Sequence, residues 1–217
     1  MSEQHRNEAN RRLVEQLRAR LGERTKRDLI EQMIIRSPHS DATEKAVAAL
    51  EAYPLLLLLL ACDYPTKLWI LDKGEKPSSA GILNESILAK RWHSTNITID
   101  ECEGITDVVD NFVAMVVSWK TLLILRHEFA HAVTTFFSPS TRKQLQALYV
   151  GAKRRGEFTE PLAKESLAEY AACGLSYYFF PDLREELRAT DGDLFNLVRG
   201  LVTEAEAVST QIVGQMA

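Results

Sequence analysis

Two histidines four residues apart, His127 and His131, lie in the segment Leu122-Leu123-Ile124-Leu125-Arg126-His127-Glu128-Phe129-Ala130-His131-Ala132-Val133. On a helix, residues i and i+4 share a face, so both imidazoles can close on one metal ion. Zinc takes neutral imidazole nitrogens at about 2.0–2.1 Å, and a catalytic zinc leaves one position to water. Glu128 follows the first histidine, which brings its carboxylate to the flank of the same face. The metal lowers the pKa of the water, and Glu128 is placed to take the proton. The spacing therefore points to hydrolysis with one zinc per chain, His127 and His131 as ligands and Glu128 as general base.

A third ligand must come from elsewhere. The longer pattern H-E-x-x-H-x-x-G-x-x-H fails, because Thr134 stands at the glycine position and Phe137 at the third histidine, which excludes a metzincin. The other histidines are His5, His39 and His93, and His93, beside Trp92, reads as a structural or exposed loop residue. A carboxylate is the better candidate. Glu165-Ser166-Leu167-Ala168-Glu169 sets two carboxylates on one helix face, continued by the small residues Ala172 and Ser176. Small side chains there let this helix approach the histidine helix closely. The expected division of labour gives zinc to Glu165, while Glu169 accepts a hydrogen bond from a ligand imidazole and fixes its tautomer.

The elements around these residues read as follows. Residues 3–36 are charged, with Leu13, Leu17 and Leu21 and then Leu29, Ile30, Met33 and Ile34 at helical spacing, which predicts one or two amphipathic helices. Asp41, with Glu44 three residues on, predicts a capped helix running to Tyr53, where Pro54 forces a break. The leucine run after Pro54 carries no β-branching and predicts a buried helix. Lys67–Asp72, Ala80–Asn84 and Asn96–Asp100 predict two or three strands of a small sheet. From Ile105 to Phe137 there is neither Gly nor Pro, which predicts one long helix, bent near Ser118. Helices are also expected at Ser140–Tyr149, from an N-cap at Thr159 with Pro161 in the first turn and carrying Glu165–Tyr178, and twice beyond Pro181. The fold class is α+β, predominantly helical. A helical N-terminal arm over 1–62 precedes the main domain at 63–217.

At this point the chain resembles a known family. H-E-F-A-H followed by E-S-L-A-E is similar to the gluzincin metallopeptidases, and most of all to the branch of the anthrax lethal factor catalytic domain and the minimal gluzincins. The resemblance covers roughly residues 66–180. It implies a zincin-like catalytic domain built from a small sheet, an active-site helix and a glutamate helix. It also implies a peptide or protein substrate, with Glu165 as third ligand and Glu169 behind a histidine. That branch has a Tyr seven residues before its ligand Glu to stabilise the oxyanion, whereas this sequence has Phe158 there. Tyr149 upstream and Tyr170 or Tyr177 downstream are the candidates to replace it, the alternative being an oxyanion that leans on zinc alone. Asn96–Asp100 is the expected edge strand for an extended peptide.

Composition narrows the classes. A net charge of −4, with only Lys153-Arg154-Arg155 as a tight basic cluster, argues against a nucleic-acid footprint. The apolar run Leu55–Ala61 is too short to span a bilayer, and the charged N-terminus shows no secretory signal. No membrane partner is expected, and the expected compartment is cytoplasmic, with leaderless export left open. The scattered Cys62, Cys102 and Cys173 form no zinc or disulfide pattern. Two other readings stand beside the peptidase: a zinc-binding module of peptidase fold with weak or no turnover, and a metal-free helical interaction protein.

Overall fold

The computed structural model describes residues 3–89 and 97–214. In chain order the elements are α1 (Glu3–Leu21), α2 (Lys26–Met33), β1 (Ile34–Arg36), α3 (Ser40–Leu50), α4 (Leu55–Asp63), β2 (Thr66–Leu71), α5 (Glu85–Leu88), β3 (Gly104–Val109), β4 (Phe112–Ser118), α6 (Leu122–Thr134), α7 (Pro139–Arg155), α8 (Leu167–Tyr178), α9 (Pro181–Thr190) and α10 (Gly192–Val213). Short 3-10 turns occupy Pro77–Ala80, Ile99–Glu101 and Pro161–Lys164. The chain is thus a predominantly helical α+β protein with one small mixed sheet.

The N-terminal residues pack into the body of the protein. Val14, Leu17 and Leu21 of α1 and Leu29, Ile30 and Met33 of α2 belong to the same buried cluster as Phe129 of α6 and Val202 of α10. Arg18 ties α1 to the end of α10, donating to the carbonyls of Ile212 and Gln211. The helix after it starts differently from the sequence expectation. His39, through Nδ1, accepts from the Ala42 amide and caps α3, while Glu44 pairs with Arg27 on α2 instead of closing a box with Asp41. Pro54 breaks the chain as expected, and α4 follows with Leu55, Leu58, Leu59 and Ala61 buried. Among the described residues no single helix is long and apolar enough to cross a membrane.

The sheet has strand order β1-β2-β4-β3. β1 and β4 run parallel to β2, and β3 runs antiparallel to β4 on the outer edge. Here the sequence expectation fails most clearly. The segment expected as one helix from Ile105 to Phe137 is a β-hairpin followed by a helix of 13 residues. Its first part is rich in β-branched residues (Ile105, Thr106, Val108, Val109, Val113, Val116 and Val117), which lose side-chain freedom in a helix and pack well in a sheet. Asp110 and Asn111 make the reversal without a glycine, Asp110 itself adopting a left-handed φ of 46°. Ala80–Asn84 is not a strand either. It leaves the Pro77–Ala80 turn through Gly81 at φ 67°. In Asn96–Asp100, residue 96 lies outside the described residues, and Thr98 caps the Ile99–Glu101 turn with a reciprocal Glu101 bond. Among the described residues the edge strands are β1 and β3.

Register decides which strand residues meet the helices. Gly104, Thr106 and Val108 pair with Val117, Met115 and Val113. Cross-strand partners point to the same face. Val113, Met115 and Val117 lie in the main cluster with Leu125, Phe129 and Val133 of α6, so Gly104 and Thr106 also face α6. The opposite face carries a smaller cluster of Leu71, Ala80, Ile99, Ile105 and Val116.

Candidate metal centre

Helix α6 is capped by Thr121, whose hydroxyl accepts from the Ile124 amide. Its Leu125, Phe129, Ala132 and Val133 are buried, which fixes the rotation of the helix and turns His127 and His131 away from the sheet's core. Helix α8 packs against α6. Ser166 caps it, accepting from the Glu169 amide at 3.1 Å. This cap places Glu169 in the first turn of α8, with Ala171, Ala172 and Gly174 buried behind it.

The two helices bring three side chains together. His127 Nε2 lies 3.0 Å from Glu169 Oε2, His131 Nε2 lies 3.2 Å from the same oxygen, and the two Nε2 atoms are 3.1 Å apart. These side chains are 12–14 % exposed, so the group is sheltered but reachable. Zinc bonds of about 2.0–2.1 Å at tetrahedral angles separate neighbouring donors by about 3.3 Å. The triangle is close to one face of such a polyhedron, and its two imidazoles and one carboxylate are donors zinc accepts. The group could hold a metal ion.

The electrostatics follow from that proximity. Burial opposes ionisation of Glu169, but hydrogen bonds from His127 and His131 overrule it and hold the carboxyl down at about 2. For His127, burial works against the charged form, and the Glu169 bond with the nearby carboxylates of Glu128 and Glu160 outweighs it, so its pKa is raised.

Glu128, next to His127 on α6, is buried at 7 % exposure. The Thr106 hydroxyl on β3 lies 2.7 Å from its Oε2 and 3.0 Å from its carbonyl oxygen. Glu165 is elsewhere. It ends the Pro161–Lys164 turn, exposed, before the Ser166 cap, and it is not in the group with the histidines. The helix expected from a Thr159 cap starts only at Leu167: Pro161–Lys164 is a separate 3-10 turn and Ser166 takes the capping conformation, which leaves Glu165 and Glu169 on different elements. Two of the expected oxyanion tyrosines also point away. Tyr149 donates to the Lys164 carbonyl at 2.7 Å, and Tyr170 donates to buried Asp191, which caps α10. Phe158 packs edge-on against both rings.

Sequence reasoning missed Glu160, Gly104 and Thr106. Glu160 groups with His127 and buried Cys173, their ligating atoms within 4.8 Å of one another. Burial and the Glu160 carboxylate both push the Cys173 thiol up. Nothing in local spacing marks Glu160, which precedes the Pro161 turn. Gly104 and Thr106 were legible only to a reading that recognised the hairpin.

No protein-family model matches the chain, and no curated protein matches it. Among solved structures, the fold is similar to that of the Pro-Pro endopeptidase PPEP-2 from Paenibacillus alvei. The two share 14 % sequence identity at a TM-score of 0.57, over 80 % of this chain and 99 % of that one. The likeness establishes a peptidase-like fold.

Proposed function

We propose that the chain is a zinc metallopeptidase in which His127, His131 and Glu169 hold the metal and Glu128 is the general base. The observation that carries this reading is the donor triangle of 3.0–3.2 Å on two packed helices, with a buried carboxylate directly beside it on α6. A bound zinc would supply Lewis acidity, polarising the scissile carbonyl and acidifying the attacking water. Glu128, anchored through Oε2, would accept the proton of that water and pass it to the leaving amine. Among the described residues β3 is a terminal strand of the sheet, with β4 on its one side, the arrangement an extended peptide uses to add a strand. Peptides containing a Pro-Pro bond belong in the first substrate set, on the strength of the structural neighbour.

A second reading rests on the tyrosines. With Tyr149 and Tyr170 both engaged elsewhere, neither offers a hydroxyl to a developing oxyanion. A zinc-binding module of peptidase fold with little turnover has the same donor triangle. One experiment separates the readings. The protein is purified without a histidine tag, zinc per chain is measured, and a peptide library is digested with wild type and Glu128→Gln. The peptidase reading expects one zinc in both and cleavage by wild type alone. Zinc without cleavage supports the module. No zinc after reconstitution at neutral pH, or equal cleavage by both proteins, overturns the proposed mechanism.

A further inference from the structure

We propose that Gly104 and Thr106, on the edge strand β3, are positioning residues that fix the Glu128 carboxylate in the orientation from which it takes a proton. The inference rests on the peptidase reading for its functional meaning and on geometry for its substance. The Thr106 hydroxyl has one hydrogen and two acceptors in reach, Glu128 Oε2 at 2.7 Å and the Glu128 carbonyl at 3.0 Å. The carboxylate is the shorter contact and the stronger acceptor, since a charge-assisted bond exceeds a neutral one. Oε2 is thereby tethered to the sheet.

Gly104 provides the space. A Cβ on this residue would stand 2.7 Å from Glu128 Cγ, 2.7 Å from Oε1 and 2.9 Å from Cδ. All three are closer than real carbon contacts allow, so any side chain at 104 displaces that of Glu128. Backbone conformation does not explain the glycine, because the positive-φ glycines are Gly22, Gly74, Gly81 and Gly156. A glycine inside a strand gives up packing and costs chain entropy, and a close approach is a physical reason to keep one there. Two residues of one strand, alternate and therefore on one face, thus act on opposite sides of the same carboxylate. Thr106 holds Oε2, and Gly104 admits Cγ and Oε1.

The test compares Gly104→Ala, Thr106→Val and Thr106→Ser with wild type and Glu128→Gln. Zinc per chain should stay at one throughout, because no donor is altered. Gly104→Ala and Thr106→Val should lose on the order of 10²-fold in kcat with KM within a few-fold, since misplacing a reacting group by about 1 Å costs that much. Thr106→Ser, which keeps the hydroxyl, should restore kcat to within a few-fold. A crystal structure of the metal-free Gly104→Ala protein should show the Glu128 carboxylate moved off Thr106. Wild-type kcat in Thr106→Val, or a Glu128 still bonded to Thr106 in Gly104→Ala, would overturn the inference. If Gly104→Ala does not fold, the Val and Ser pair at 106 decides it. If wild type cleaves nothing, the peptidase reading fails, and the metal-free structure still decides whether Gly104 sets the position of Glu128.

Discussion

The hydroxyl of Tyr53 donates to the carbonyl of Arg126 at 2.7 Å in a fully buried bond, one residue before the first histidine of the site. The Tyr53 ring lies edge-on to Phe129 and tilted against Phe179, with centroids 4.8 and 4.3 Å away. Arg126 in turn donates through Nε to the Ala49 carbonyl near the end of α3, and through Nη1 to the Phe179 carbonyl at the end of α8, both at 2.9 Å. One residue of α6 therefore ties together the helix that carries the histidines, the helix that carries Glu169 and the N-terminal α3.

Tyr53→Phe should cost about 1–2 kcal/mol, the range for losing a buried hydrogen bond while its acceptor keeps the helical partner. Arg126→Met should cost about 3 kcal/mol or more, because the carbonyls of Ala49 and Phe179 both lose their charged donor inside the protein. Urea unfolding of the metal-free proteins, with unchanged m-values, measures both. An Arg126→Met protein as stable as wild type would show that these bonds do not hold the helices.

The assignment of the third ligand gives the next prediction. Glu169 lies against both histidines, while Glu165 is exposed before the Ser166 cap. Glu169→Gln should weaken zinc binding by 10²-fold or more, and Glu165→Gln should leave it within about threefold, by competition with a chelator. The reverse order would return the ligand role to Glu165. A drop of only about tenfold in Glu169→Gln would place Glu169 behind a histidine.

What could be read from the sequence divides along physical lines. That His127, Glu128 and His131 share one helix was legible because four-residue spacing on a helix is a local property that survives any tertiary arrangement. The break at Pro54, the buried α4 and the two helices after Pro181 were legible for the same reason. The hairpin was not. The absence of Gly and Pro from this stretch predicts helix, whereas its β-branched residues and the Asp110-Asn111 pair favour the hairpin. Gly104 and Thr106 stay hidden with the hairpin, since their relation to Glu128 exists only through strand register. Which carboxylate reaches the histidines turned on one cap, Ser166, competing with continued helix, and on contacts between α6 and α8 that spacing within either helix does not contain.

The metal-free protein should show a pH dependence that names its source. Glu169, depressed in the folded state to about 2 from an ordinary 4.5, contributes stability that is full above 4.5 and lost as pH falls toward 2. His127, raised above its ordinary 6.5, contributes stability that is full below 6.5 and lost as pH rises through the raised value. The pair is therefore most stabilising between about 4.5 and 6.5. Thermal melts in chelator from pH 3 to 8 should give wild type a maximum in that window that Glu169→Gln lacks. A difference between the two proteins that stays constant with pH would sink the coupling.

The last prediction concerns how closely α8 can be approached from behind. A Cβ on Gly174 would stand 2.7 Å from Leu194 Cδ2 and 2.9 Å from its Cγ. Leu194 is 1 % exposed at the start of α10, where Asp191 caps the helix and holds Tyr170, so its side chain has little room to yield. Gly174→Ala gains helix propensity of about 1 kcal/mol, yet overpacking of a dense core costs about 1–3 kcal/mol, and the clash should win. Leu194→Ala alone opens a cavity and costs about 2–5 kcal/mol. In the double variant the new methyl enters the space that the leucine leaves, so the two costs should fall short of additivity by 1 kcal/mol or more. Chemical denaturation of the four proteins closes the cycle. Additive costs would mean that α8 itself shifts as a body to make room, and zinc affinity should then drop in Gly174→Ala as Glu169 moves with α8.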